Sequence, residues 1–191
     1  MAGWGRRFRI AIQGRDPRNG KRFIWHMFQA RPGGGASPVG DGWPGGGEWQ
    51  AVGGIKFGSL EVTEVRFPLF FRRHEFRPNS GGDGQYRGGP GGILEMVAEI
   101  AEPALGNTAG DGVRHGACGI LGGADAQPHR YTLHSQGRAP RAIKTKEVGI
   151  EIRPNDLFIM ASGGGGGWGE PALRTEAARA HDLECGFVEA E

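Results

Sequence analysis

The segment Phe67–Gly92 reads FPLFFRRHEFRPNSGGDGQYRGGPGG, an apolar start that runs into a cationic strand and then into two glycine-rich turns. Seven glycines lie between Gly81 and Gly92, beside Arg72, Arg73, His74, Glu75, Arg77 and Arg87. The pattern extends over the whole chain, where glycine supplies 38 of 191 residues against a usual level of about 7%. No Gly-X-Y period is present, which excludes collagen. The 5 tryptophans and 10 phenylalanines are more aromatic residues than a disordered linker carries. The expected meaning is a set of tight turns at positive φ between short strands.

The length suits one domain with a small appendage. A hydrophobic content of 37% is low for an independent domain of this size, which suggests a surface built to be covered. The formal net charge is +2, without the concentrated basic face that nucleic acid requires. Cys118 and Cys185 form no CxxC pair, which fits a reduced, cytoplasmic setting better than a disulfide or zinc framework. The start MAGWGRRFRIAIQG has no apolar leader core, and no run approaches the roughly 20 apolar residues of a membrane helix. A soluble chain with no membrane partner is expected.

Alternation of Phe8, Ile10 and Ile12, a turn at Asp16–Gly20, and alternation of Phe23, Trp25 and Met27 predict a β-hairpin. Residues 31–54 read as a long loop with Trp43 and Trp49 as anchors. Strands are predicted at Leu60–Phe67 and Leu69–Arg77, separated by Pro68, then at Ile93–Ile100, Arg130–His134, Ala142–Lys146 and Leu157–Ala161. Ile93–Ile100 also satisfies helical spacing, but its short length and flanking glycines favour a strand. Gly110–Gly123 reads as a loop and Arg153–Asp156 as a turn. One helix is expected, Ala172–Cys185, with Pro171 in its first turn and Gly186 as its C-terminal cap. The fold class is therefore mainly β (α+β), with short glycine-rich strands, long loops and one C-terminal helix. The division is a β-rich region over 1–170 and a helical tail over 171–191.

Gly164, Gly166 and Gly169 form a literal GxGxxG, yet no returning strand follows to complete a dinucleotide-binding unit. No GxxxxGK[ST] occurs, so any ATP must be bound elsewhere. Asp111-Gly112-Val113-Arg114-His115 is the densest cluster of polar chemistry. His115 could shuttle a proton and Arg114 hold a carboxylate or phosphate; alternatively the cluster is a capped loop with a structural ion pair. On a strand, Arg72 and His74 share one face and Arg73 and Glu75 the other, as a contact surface or a solvated edge. The histidines show no HExxH or similar metal spacing, and there is no Gly-x-Ser-x-Gly elbow.

Several blocks in order resemble the hydantoinase B / 5-oxoprolinase family. They are LEVTEVRFP at Leu60–Pro68, EFRPNSGGDG at Glu75–Gly84, YRGGPGG at Tyr86–Gly92, LGG at Leu121–Gly123, and PND at Pro154–Asp156 followed by SGGGGGWGEP at Ser162–Pro171. Asn79 and Asn155 stand where the family usually has Asp and Gly. The family's His-Asn-Asp-Pro segment and downstream histidines are missing, so the chain resembles only the C-terminal portion of such a subunit, either as a split polypeptide or as a truncated remnant.

The resemblance implies a piece of an ATP-dependent cyclic-amide hydrolase, inactive alone, whose companion hydantoinase A-like subunit binds ATP. It implies no cofactor or metal on this chain itself, with ATP and a divalent metal held by the partner or the missing N-terminal half, in a hetero-oligomer. Asp111, Arg114 and His115 are the catalytic candidates on this reading, and Arg77 and Arg87 the substrate-binding ones. The alternatives are a non-catalytic assembly module or a piece of an acetone or acetophenone carboxylase-like enzyme.

Overall fold

The computed structural model describes residues 1–6, 8–26, 30–46 and 58–189. Strands β1 (Phe8–Arg15) and β2 (Arg22–His26) form the expected hairpin, with Ile12 opposite Trp25. Its turn is held by Asp16, whose buried carboxylate accepts the Arg18 backbone N–H and guanidinium. Met27 and Trp49 lie outside the described residues. The remaining strands are β3 (Leu69–Phe76), β4 (Gly92–Ala98), β5 (Ala104–Gly110), β6 (Arg130–His134), β7 (Arg141–Ala142), β8 (Glu147–Ile152) and β9 (Leu157–Ala161). They pair antiparallel in two sheets, in the orders β2-β1-β5-β8 and β3-β4-β9-β6-β7.

The inward residues of both sheets share one core. Ile10, Ile12, Trp25, Ile150 and Ile152 from the first sheet meet Leu69, Phe71, Leu94, Met96, Phe158 and Met160 from the second. The Trp25 and Phe71 rings lie 6.0 Å apart across the interface. Alternation in β4 is as predicted: Leu94, Met96 and Ala98 are buried, while Ile93, Glu95 and Val97 face outward. In β3 a bulge between Phe71 and Arg73 resets the alternation. His74 consequently pairs with Leu94 on the Phe71 face, whereas Arg73 and Glu75 do share a face, 2.7 Å apart.

Four expectations need correction. Leu60–Phe67 is not a strand: α1 (Leu60–Arg66) forms there, with Ser59 Oγ accepting the Val62 N–H at 3.1 Å. The β-branched residues favour a strand locally. The cap, and the burial of Leu60, Thr63 and Phe67 on one helical face, outweigh that preference. Ala142–Lys146 pairs only at Arg141–Ala142. β5 and β8 were not expected either: ALGNTAG has weak strand propensity, and EVGIEI is interrupted by Gly149 at φ 68; Gly106 is small because an added Cβ would lie 3.0 Å from Ile152 Cδ1. The C-terminal helix is shorter than Ala172–Cys185. Pro171–Leu173 makes a 3-10 turn, and α2 (Glu176–Glu184) begins only after the Thr175 cap.

The break before α2 has an electrostatic cause. Arg174 turns inward to pair with Asp182 at 2.7 Å and with Asp41 at 2.8 Å, and Asp182 also accepts from Arg87 at 3.0 Å. Two cations and two anions thereby compensate one another, with Arg87, Arg174 and Asp182 buried and Asp41 partly exposed, as buried charges require. Asp41, which also accepts the Arg87 backbone N–H, fixes the 31–46 loop. Trp43 anchors that loop through its carbonyl, which accepts from Gly34, and not through its exposed ring.

Glycine does something other than turn the chain. Only eight described glycines have positive φ, and Gly163–Gly167 are not among them. This segment is buried and bonded to four others: Gly166 N–H reaches Gly3, Gly33 N–H reaches Gly163, Gly165 N–H reaches Gly89, and Gly167 N–H reaches Ala124. A Cβ added at Gly88 would sit 1.8 Å from the Gly165 carbonyl oxygen, and one at Gly165 would sit 1.9 Å from that of Gly34. Such distances exclude any side chain, as at the axis of a collagen triple helix. Extended glycine segments thus pack backbone to backbone at one end of the sandwich.

This predicts opposite outcomes for two glycine substitutions. Gly165→Ala, at an ordinary φ but against backbone, is expected to cost more than about 4 kcal/mol or to prevent folding. Gly137→Ala, at φ 72 but with nothing within 4 Å, is expected to cost only about 1 kcal/mol. Urea titration of both variants checks the ranking, and comparable losses would contradict this packing.

Candidate functional site

The five sequence candidates separate into two groups. Arg87 is buried, its guanidinium on Asp182 and 4.8 Å above the Phe187 ring. Arg77 is half-buried and donates to the carbonyls of Pro128 at 2.8 Å and Ser162 at 3.1 Å; burial, then the Arg130 charge, lowers its pKa. Both guanidiniums hold the glycine segments together. Asp111, Arg114 and His115 are instead exposed and come together on one wall of an open surface depression.

The same depression is also lined by residues the sequence reading did not select: Arg6, Lys144, Thr145 and Lys146. Asp111 and Lys146 face each other at 3.5 Å, both largely exposed, so this pair contributes little stability. The depression therefore holds Arg6, Arg114, Lys144 and Lys146 against one carboxylate, with His115 among them. Such a surface attracts an anionic group, and His115 places an imidazole among those cations. The Lys144-Thr145-Lys146 run was the available signal, but only the antiparallel pairing of β5 and β8 brings it beside Asp111.

Behind the depression lies a buried histidine. His129 Nδ1 accepts the Gly163 N–H at 2.8 Å and lies 2.9 Å from the Tyr131 hydroxyl. The ring proton is thereby assigned to Nε2, which donates to the Arg6 carbonyl at 2.7 Å. The His129 backbone N–H also donates to Gly112. One residue thus joins the Arg6 segment, the Gly112 loop and the glycine segments, the first and last through its ring and the Gly112 loop through its backbone. Burial, then the Arg77 charge, pushes its pKa down to about 4, so the imidazole is neutral.

The GxGxxG segment does not form a nucleotide cradle. The N–H groups of Gly163, Gly165, Gly166, Gly167 and Gly169 all donate to protein acceptors. The space a phosphate would need is filled by backbone. Among the described residues, no three His, Cys, Asp or Glu side chains are grouped to hold a metal. No helix among them is long and apolar enough to cross a membrane.

A family model described as Hydantoinase B/oxoprolinase matches residues 1–171. The chain is 31% identical over 195 residues to the caprolactamase subunit beta of Pseudomonas jessenii, covering 98% of this chain and 33% of that protein. It is 33% identical over 112 residues to the 5-oxoprolinase of Saccharomyces cerevisiae, covering 58% of this chain and 8% of that protein. Among solved structures, the ATP-dependent caprolactamase of Pseudomonas jessenii superposes with a TM-score of 0.81 at 27% identity, over 98% of this chain and 33% of that one. A nucleotide-free acetone carboxylase shares the fold at a TM-score of 0.78 and 22% identity, over 95% of this chain and 28% of that one. The chain spans about a third or less of the length of these relatives.

The His129 environment yields a pH prediction. Its folded pKa lies below the ordinary value of about 6.5, so its contribution is complete above pH 6.5 and lost as pH falls towards 4. The loss is expected to reach up to about 3 kcal/mol. His129→Phe should be less stable at pH 7.5 but show a flatter profile between pH 6.5 and 4.5 in chemical denaturation. Parallel profiles for the two proteins would contradict this assignment.

Proposed function

The chain belongs to the hydantoinase B/oxoprolinase family, and from that membership we propose that it is part of an ATP-dependent enzyme that opens cyclic amides. The observation that carries the reading is the likeness to the caprolactamase beta subunit over 98% of this chain, with the same fold in the caprolactamase structure. The substrate class is a lactam, a hydantoin or 5-oxoproline. A resonance-stabilised amide is a poor electrophile, and phosphorylation of its oxygen by ATP would make the carbon attackable by water.

In this proposal ATP belongs to a hydantoinase A-like companion, and a divalent metal to that companion or to the portion of the subunit this chain does not match. The described residues here offer neither a nucleotide cradle nor a metal cluster, and no step is assigned to them through those groups. What this chain contributes is the cationic depression. Arg114, Arg6, Lys144 and Lys146 would hold an anionic group, the carboxylate of 5-oxoproline or the phosphoryl group placed on the amide oxygen, and His115 would exchange a proton beside Asp111. The assembly acts in the cytoplasm on this reading, a setting that the two free thiols suit.

The test is reconstitution with an ATP-binding companion and the remaining part of the subunit. ATP-dependent opening of a lactam or hydantoin is expected. His115→Ala is expected to lower kcat by about a hundredfold, the lower end of general acid–base contributions, and Arg114→Ala to raise KM, both with assembly intact. If both variants assemble and turn over normally, the depression is not the site. If they fail to assemble, the chain is an assembly module.

A further inference from the structure

The surface depression beside Arg114 holds an uncompensated charge. Arg6, Arg114, Lys144 and Lys146 line it together with a single carboxylate, Asp111. Asp111 lies 3.5 Å from Lys146, with both groups largely exposed, so it neutralises that ammonium only weakly. Glu147 stands near Lys144 and feels its charge. Its carboxylate, however, is held by Arg141 at 2.6 Å and accepts the Lys144 backbone N–H at 3.1 Å. With Arg141 and both carboxylates counted, the cluster keeps an excess of three positive charges. Neither Arg6 nor Arg114 has a carboxylate partner among the described residues.

The backbones that carry these cations are fixed mainly by uncharged groups, which leave the excess intact. His129 donates from Nε2 to the Arg6 carbonyl at 2.7 Å and from its backbone to the Gly112 carbonyl at 2.8 Å. Gly112, at φ 81, lies so close that an added Cβ would stand 2.9 Å from Arg6 Cβ. On the other side the buried Thr108 hydroxyl of β5 donates to the Lys144 carbonyl at 2.7 Å and accepts the Glu147 N–H at 3.0 Å. Three segments distant in sequence thus deliver guanidiniums and ammoniums to one depression from prepositioned backbone, which lowers the ordering cost of binding.

We propose that this depression is a binding site for a phosphoryl dianion, the three-oxygen terminus of a phosphate ester or released phosphate. The proposal rests on the cyclic-amide reading above and narrows it. A carboxylate offers two oxygens in one plane and one charge. A phosphoryl group offers three oxygens and close to two charges near neutral pH, which suits cations arriving from three segments. Lactam and hydantoin rings bring no carboxylate, whereas a phosphoryl group on the amide oxygen is common to every substrate class of that reading. The dianion displaces Asp111 from Lys146, so the one carboxylate of the depression acts as its competitor.

The test titrates the full chain with inorganic phosphate, methyl phosphate and acetate at a fixed ionic strength of about 0.15 M, where charges beyond about 8 Å are largely screened. Backbone amide shifts at Gly112, Arg114 and Lys146 report binding. Phosphate is expected to bind about tenfold tighter than acetate. Arg114→Gln and Lys146→Gln each weaken phosphate about fivefold and Asp111→Asn tightens it about threefold. Lys21→Gln, in the β1–β2 turn at the far end of that hairpin, leaves it unchanged. Methyl phosphate bound as tightly as phosphate assigns the site to the phosphorylated amide; phosphate bound alone assigns it to the released product. Equal affinity for acetate, no saturable shifts at these amides, or an affinity indifferent to Arg114 and Lys146 overturns the proposal. If a variant does not fold, the comparison of anions on the unaltered chain decides. A reconstituted enzyme that opens cyclic amides, while this chain shows no preference for phosphate, removes the dianion site and leaves the activity reading. Phosphate-selective binding without ATP-dependent turnover does the reverse.

Discussion

Backbone packed directly on backbone is the constraint on which this structure depends. The segments around Gly3, Gly34, Gly82 and Gly89, the loop Cys118–Ala124, and Gly163–Gly167 approach so closely that carbonyl oxygens occupy the places where side chains would begin. The region buries almost no apolar surface of its own. Its stability rests on satisfying nearly every N–H across segments, since an unpaired buried amide costs about as much as a lost hydrogen bond. Ordering so much glycine carries a large conformational entropy cost. The adjoining sandwich core and the Arg87–Asp182–Arg174–Asp41 network offset it, the latter by tying α2 and the 31–46 loop onto the bundle.

The sandwich was the part most readable from sequence. Ile10, Ile12, Phe23 and Trp25 alternate cleanly, and so do Leu94, Met96 and Ala98, because one face of each strand meets a core. Asn79 and Asn155 stand at φ 54 and 63, the left-handed region that asparagine tolerates. Glycine abundance was legible, but its use was not. Turns and close approaches both select glycine, and a linear sequence does not distinguish them. α1 was misread for a related reason: Thr63 and Val65 favour a strand locally, while its helical face is defined by packing that only the assembled core supplies.

The same limit applies to the site. Arg77 and Arg87 stood out beside glycines, and they are there to serve those glycines, as donors to carbonyls or partners of a buried carboxylate. Asp111, Arg114 and His115 were found as a local cluster. Their counterparts Arg6, Lys144 and Lys146 come from distant segments and meet them only because β1, β5 and β8 are neighbours in one sheet. His129 gave no sequence signal at all, since its significance lies in accepting from Gly163 and donating to Arg6.

These features bear on why the depression is open. Its walls are loops fixed from behind by a neutral histidine and by a glycine bundle that tolerates no side chain, so the Gly112 and Arg6 segments have little freedom to close over a ligand. On the proposed reading, an open depression whose own walls have little freedom to close has to be completed from outside. The hydrophobic content of 37% points the same way. The fold supplies a rigid, charged wall. On the proposed reading, catalysis depends on what is placed against that wall, and the cationic cluster would position an anionic group that other protein encloses.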